Sequence, residues 1–208
     1  MDSATTTAPD QPPETHKCPE ALLSLAAGSV LSVLKCPPPS PTFFAGCPLF
    51  STADNKSPDK ASASSTLVSI EQEPGLVLFL RNVCVKAAVT ELALVISLIY
   101  VDRLKKVLTG MARGDPDTPF KIILSALLVV KKFMEEDCVG LNQLFSKITN
   151  GLYTLKDINT MERSFLGLLK FSLFVTEEDV TNFIHAHQEE LKGLDILQSS
   201  SAKFPAFA

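Results

Sequence analysis

The sequence predicts an all-α protein, and three observations carry that expectation. Two long runs, TELALVISLIYVDRLKKV and PFKIILSALLVVKKFMEE, fill most of the stretch from Thr90 to Glu136 and are apolar nearly all the way round. A helix without a polar face is buried among other helices, so these two arms, joined by LTGMARGDPDT, read as a central hairpin with other helices wrapped about it. Elsewhere the apolar residues recur with the period of a helix, and the one alternating candidate, Ser172–Val175, is too short to matter. Finally, start and stop signals for helices fall at the ends of these periodic stretches.

Taken in order, residues 1–16 are rich in Ser, Thr and Pro and are expected to be disordered. A first helix, within 17–35, starts near Pro19, a residue suited to a first turn. Its stripe is Leu23, Ala26, Ala27, Val30, Leu31 and Leu34, and it stops before Lys35-Cys36 and the Pro37–Pro39 run. With one apolar face, it lies on the outside of something. Residues 36–75 form a long connection. Pro37 to Pro41 favour extended backbone, while Phe43, Phe44 and Phe50 are expected to tack the stretch onto the helices. Ser51–Thr66 reads as a flexible insertion. Ser40-Pro41 and Ser57-Pro58 have the form of phosphosites, but such dipeptides are common and the plain reading, ordinary loop, is preferred.

The next helix is expected after Pro74-Gly75, with Leu76, Phe79, Leu80, Val83 and Ala87 as its stripe. Thr90 before Glu91 suits an N-cap for the first arm, and Thr118-Pro119 gives the second arm a cap plus a first-turn proline. The second arm ends in Lys131, Lys132, Glu135, Glu136 and Asp137, so the buried pair delivers a charged cluster to the surface. Leu141, Leu144, Phe145 and Ile148 define a short helix closed by Asn150-Gly151. Thr154 with Asp157 resembles a capping box, opening a helix with Leu155, Ile158, Met161, Phe165, Leu168 and Leu169 inside. Thr176 with Asp179 repeats the device, opening a helix with Val180, Phe183, Ile184, His187 and Leu191 on one face. Residues 193–208 read as a loose polar tail.

Composition narrows the function classes. The chain has 208 residues, 46% hydrophobic and 20% charged, which suits one core-forming domain with extensions. A net charge of -4 gives no electrostatic reason to seek nucleic acid or anionic lipid, and Arg103, Lys105 and Lys106 read as a solvated helix end. The longest apolar runs fall well short of the roughly 20 residues of a membrane span. The N-terminus lacks the basic start and apolar run of a signal peptide, so cytoplasm or nucleus is expected. Five cysteines do not make a disulfide framework; Cys84 and Cys138 read as reduced and packed. Cys18, Cys36 and Cys47 are too far apart for paired zinc ligands, so no metal and no cofactor are expected.

Catalytic arrangements are missing. There is no phosphate-binding glycine loop, no nucleophile elbow and no H-E-x-x-H. His185 and His187 are two apart and point to different sides of a helix, and His187 reads as a satisfied core histidine. Glu135, Glu136 and Asp137 are better read as a solvated face than as an acid–base group. The chain is therefore not expected to be an enzyme.

Four segments in order carry a resemblance. They are ELALVISLIYVDRL, ALLVVKKFMEED, NQLFSKI and LKDINTMERSFLGLLKFSLFV. Their marked positions are Tyr100, Asp102 and Arg103; Lys132, Phe133, Glu135 and Glu136; Asn142, Phe145, Ser146 and Lys147; and Ile158, Asn159, Glu162, Phe165 and Leu166. Together they resemble the cyclin box, and more narrowly the small single-box P/U-type cyclins that include the phosphate-signalling cyclins of fungi. The resemblance implies a five-helix box over 76–175, flanked by the N-terminal helix and by a C-terminal helix over 176–192.

It also implies a function: a regulatory subunit that binds and activates a cyclin-dependent protein kinase as a heterodimer. In that family a Lys of the third box helix and a Glu of the fifth hydrogen-bond the kinase beside its αC helix; carried over, these are Lys132 and Glu162, with Phe133, Glu135 and Glu136 nearby. The implied mechanism is a population shift toward the kinase's αC-in form. The plain alternative is that Lys132 and Glu162 only pair with each other, worth under about 1 kcal/mol. Leu128, Phe133 and Phe165 are expected to be mostly core, with room for one of them to be exposed as an anchor. Asp102 and Asn142 are read as structural. Many cyclins pair that Asp with an Arg on the first box helix, but here Arg81 stands one residue before the usual position, which Asn82 fills. That leaves either a neutral Asn82–Asp102 hydrogen bond or a shifted register. The competing function is a cyclin-fold adaptor of the transcription type, which would want a basic surface and usually two boxes.

Overall fold

The computed structural model describes residues 18–39, 72–108 and 112–192, with only the backbone described for 72–74. The expectations for residues 1–16, Ser40-Pro41, Phe43, Phe44, Cys47, Phe50, Ser51–Thr66 and 193–208 lie outside the described residues. Seven helices are described: α1 Glu20–Leu31, α2 Gln72–Lys86, α3 Glu91–Val107, α4 Thr118–Met134, α5 Leu141–Ile148, α6 Leu155–Leu168 and α7 Glu177–Ala186. Among the described residues there is no strand, only an isolated bridge between Lys35 and Arg113. Ser172–Val175 lies within the connection between α6 and α7.

The α3–α4 hairpin is the centre of the molecule. α3 is buried continuously from Leu92 to Val101, and α4 from Ile122 to Lys131. Such helices can exist only if neighbours cover every side, and α4 has them: α3, α1, α2, α5 and α6 all pack on it. Two serines lie inside the hairpin, and each returns its hydroxyl to its own helix. Ser97 Oγ donates to the Leu94 carbonyl at 2.6 Å and Ser125 Oγ to the Lys121 carbonyl at 2.7 Å, so neither is left unpaired in the core. Between α2 and α4, Phe79 and Phe120 are fully buried and meet edge to face, centroids 5.2 Å apart at 88°, the geometry that aromatic quadrupoles prefer.

Several local expectations change. Pro19 lies just outside α1, with its carbonyl accepting from the amides of Leu22 and Leu23. α2 begins at Gln72, ahead of Pro74 and Gly75. A proline in a first turn removes no helical hydrogen bond, because those amides have no intrahelical partner. The N-cap of α4 is Asp117, whose carboxylate pairs with Lys121 at 2.6 Å, and Thr118 is already helical. Leu155 and Leu168 are exposed; the inward face of α6 is Ile158, Phe165 and Leu169. Cys138 is exposed in the loop after α4, whereas Cys84 is buried as expected. His187 is only partly buried, against Phe183 at 4.6 Å, and its Nδ1 has no hydrogen-bond partner among the described residues. It is therefore not the satisfied core histidine that its stripe position suggested.

Both expected capping boxes form. Thr154 Oγ1 accepts from the Asp157 amide while Asp157 accepts from the Thr154 amide, and Thr176 and Asp179 do the same for α7. Asn150 and Gly151 both have positive φ, 50° and 83°, as the end of α5 requires. The loop ahead of α4 touches the chain after α1. The Gly114 amide donates to the Lys35 carbonyl at 3.3 Å. A Cβ at Gly114 would lie 2.8 Å from Cys36 Sγ and 2.9 Å from Thr118 Cβ, so only glycine fits this approach.

Candidate functional site

The last turn of α4 is where the buried hairpin meets solvent. Lys131 remains buried and pairs with Glu135, one helical turn on, at the carbonyl end of the helix. It is thus a helix-terminating pair rather than part of a surface cluster. Lys132, the next residue, turns by about 100° and faces α6. Its Nζ donates to Glu162 Oε1 at 2.6 Å, with side-chain exposures of 29% and 13%.

α6 presents Asn159 and Glu162 on one side by i,i+3 spacing while Ile158, Phe165 and Leu169 face inward. α5 completes the arrangement. The Nδ2 of Asn142 donates to Glu162 Oε2 at 2.6 Å and to Asn159 Oδ1 at 2.6 Å. Both oxygens of Glu162 are therefore held, one by α4 and one by α5. Ammonium, carboxylate and two amides form a fixed polar set across three helices, each partner restricting the others' rotamers.

Beside this set lies an apolar groove of about 230 Å³, walled by Val129, Phe133, Leu166, Phe171 and Leu173. Phe171 is 70% exposed and Phe174, nearby in the chain, is 60% exposed. Lys170 and Phe171 adopt left-handed backbone, φ 50° and 57°, immediately after α6. Non-glycine residues take that conformation at a cost of about 1–2 kcal/mol each. The rim thus sets a charged pair directly beside an open apolar groove, with Lys132 and Glu162 themselves lining the groove's edge.

The remaining expected site residues fall as follows. Phe133 is half-buried and lines the groove, while Leu128 and Phe165 are core. Glu135 is engaged with Lys131, and Asp137 accepts from the Val139 amide at 3.2 Å. Glu136 is exposed and makes no hydrogen bond or ion pair among the described residues. Arg81 does not turn to Asp102; it pairs with Glu20 of α1 at 2.5 Å, at the surface. Asp102 is half-buried beside α7, in a pocket it shares with Arg103, Lys106, Asp179 and Asn182, and makes no hydrogen bond or ion pair among the described residues. The last turn of α3 reaches solvent, so its carboxylate does not need the internal partner expected for it. Arg103, read as solvated, instead donates from Nη1 to the Ser172 carbonyl at 2.8 Å. Sequence reasoning did not assign Asn159, Leu166, Phe171 or Leu173 to the site. Asn159 and Leu166 had a signal, their i,i+3 and i,i+4 spacing from Glu162; Phe171 and Leu173 had none, since an apolar run after a helix ordinarily means core.

Among the described residues no group of three or more His, Cys, Asp or Glu could hold a metal ion, and no helix is long and apolar enough to cross a membrane.

A family model described as Cyclin, N-terminal domain, matches residues 51–174. The chain is also similar to three curated proteins of Saccharomyces cerevisiae. It is 34% identical to PHO85 cyclin-1 over 130 residues, 62% of this chain and 46% of that protein. It is 28% identical to PHO85 cyclin-9 over 107 residues, 51% of this chain and 35% of the relative. With PHO85 cyclin-2 the identity is 22% over 126 residues, 61% and 41% of the two chains. The match thus spans less than half the length of each relative. No solved structure matches.

Proposed function

The chain belongs to the cyclin family, and from that premise we propose that it is the regulatory, non-catalytic subunit of a cyclin-dependent protein kinase. The names of its relatives pair them with PHO85, which supports a kinase of that class as the partner. In this reading α2 to α6 are the five box helices, and α1 and α7 flank them.

The observation that carries the proposal is the Lys132–Glu162 pair, held at 2.6 Å on the rim of the apolar groove. In the free protein the two charges satisfy each other. On docking, Lys132 and Glu162 exchange part of that contact for polar groups of the kinase beside its αC helix, and an apolar side chain of the kinase enters the groove. A surface that fits the αC-in form better than the αC-out form shifts the kinase toward its active state by that difference in affinity. Mutual pairing and kinase binding are therefore compatible: pairing keeps both side chains extended and in place until the partner arrives, which lowers the ordering cost of association.

The test is co-purification with the PHO85-class kinase and measurement of its activity. Truncating one partner of a desolvated charge pair costs about 2–5 kcal/mol of binding, whereas an exposed pair contributes about 1 kcal/mol or less to folding. Lys132→Ala and Glu162→Ala are expected to lose the complex and keep the helical fold. Full kinase activation by Lys132→Ala would count against the proposal.

A further inference from the structure

The end of α3 touches neither the Lys132–Glu162 pair nor the groove directly, yet it grips the segment that builds the groove's outer wall. Tyr100 is fully buried on α3, and its hydroxyl donates to the Leu173 carbonyl at 2.6 Å. Arg103, one turn on, donates to the adjacent Ser172 carbonyl at 2.8 Å. Its other terminal nitrogen lies 3.6 Å from the Asp179 carboxylate, which caps α7. Two consecutive carbonyls of the α6–α7 connection are thus held from below by two side chains of one helix, and the same arginine is fastened to the next helix.

What these two bonds hold is a strained turn. Lys170 and Phe171 are in left-handed backbone without being glycine. The connection has its own turn bonds, from the amides of Phe171, Ser172 and Leu173 to the carbonyls of Leu166, Leu169 and Phe171. Those bonds span only two to five residues, so they open readily unless the segment is held in place from outside. Together with the burial of Leu169 and Val175 at its two ends, the grip from α3 fixes where the turn sits, and therefore where the Phe171 ring and the Leu173 side chain stand against Val129, Phe133 and Leu166. Burial pushes the Tyr100 hydroxyl up to about 12, so it stays protonated and remains a donor throughout the physiological range.

We infer that Tyr100 and Arg103 are positioning residues for partner docking: they latch the α6–α7 connection so that Phe171 and Leu173 form a preset apolar wall beside Lys132 and Glu162. The inference rests on the proposed kinase-binding role of that rim for its functional consequence, though the latch is a property of the free chain.

Two measurements on the full chain test it. The first is hydrogen exchange in wild type and Tyr100→Phe. A single hydrogen bond of ordinary net strength corresponds to roughly a tenfold change in a local opening equilibrium. The amides of Phe171, Ser172 and Leu173 are therefore expected to exchange about tenfold faster in the variant, with those of α4 unchanged. Unchanged exchange at the three amides would overturn the latch. The second is a double-mutant cycle in affinity for the PHO85-class kinase, pairing Tyr100→Phe with Phe171→Ala. If Tyr100 acts through the wall, its loss weakens binding about tenfold in the wild-type background and has little effect once the ring is gone, a non-additivity that a general loss of stability does not produce. Additive effects would overturn the positioning role. Failure of every variant, wild type included, to bind the kinase would sink the proposed function, while the exchange experiment would still decide whether the latch exists.

Discussion

Lys132 of α4 and Glu162 of α6, 30 residues apart in the chain, meet at 2.6 Å, and Asn142 of α5 holds the second oxygen of the same carboxylate at 2.6 Å. Three helices thus converge on one carboxylate at the rim of the bundle. That convergence separates folding from docking: the core beneath is apolar and complete, so the polar set can be altered without opening it.

Asn142→Ala should therefore weaken kinase binding less than Glu162→Ala does. It removes the amide that orients the carboxylate but leaves the charge. Loss of one hydrogen bond costs about 0.5–1.5 kcal/mol net, so affinity is expected to fall by up to about tenfold, with a small drop in unfolding free energy. Titration calorimetry together with urea unfolding separates the two effects. Equal losses for Asn142→Ala and Glu162→Ala would assign the amide a direct contact instead.

Gly114→Ala should destabilise the fold. The new methyl would lie 2.8 Å from Cys36 Sγ and 2.9 Å from Thr118 Cβ, and the latter belongs to the first turn of α4. Overpacking of this kind costs about 1–3 kcal/mol. Removing the sulfur with Cys36→Ala should recover part of the loss, but not all of it, because Thr118 remains. Thermal unfolding of the single and double variants measures both.

Lys170→Gly should stabilise the chain. Lys170 is exposed with φ 50°, a conformation disfavoured for a residue carrying a Cβ. Relief of about 1–2 kcal/mol is offset by about 0.5–1 kcal/mol of extra glycine entropy in the unfolded state. A net gain of up to about 1.5 kcal/mol is expected, read as a rise in the thermal midpoint. A fall would show that the Lys170 side chain has a contact of its own.

Acid should weaken the fold through the α7 cap. The hydrogen bond from the Thr176 amide holds the Asp179 carboxyl below the ordinary value of 3.8, with the Thr176 hydroxyl and Arg103 acting in the same direction and partial burial opposing. The folded state thus binds this proton less tightly than the unfolded chain. The stabilisation is fully present above the ordinary carboxylate range and is lost as pH falls through about 4 toward the lowered folded value. Asp179→Asn should therefore flatten the acid limb of a stability–pH curve and lower the plateau at neutral pH. An unchanged acid limb would exclude this cap as a contributor.

Much of the fold is legible in the residues. The buried hairpin announces itself because α3 and α4 have no polar face, and Thr154/Asp157 and Thr176/Asp179 mark helix starts by chemistry confined to four consecutive positions. Those signals are local, and local signals survive in a sequence. Thr118 misleads by one position because Asp117 next to it also suits a cap. Leu155 and Leu168 mislead because periodicity gives a stripe but not its width.

For the site, helix periodicity places Lys132 at the end of a buried helix and Glu162 on a polar face, and family likeness joins them. That Asn142 grips Glu162, that Arg81 turns to Glu20, and that Tyr100 and Arg103 hold two carbonyls about seventy residues away depend on how the helices cross. Local residue pattern dictates which stretches become helices and which of them must be covered. The tertiary structure decided which polar side chain meets which, because a hydrogen bond requires ångström placement of groups distant in the chain, and hydrophobic patterning, which is non-directional, does not specify it.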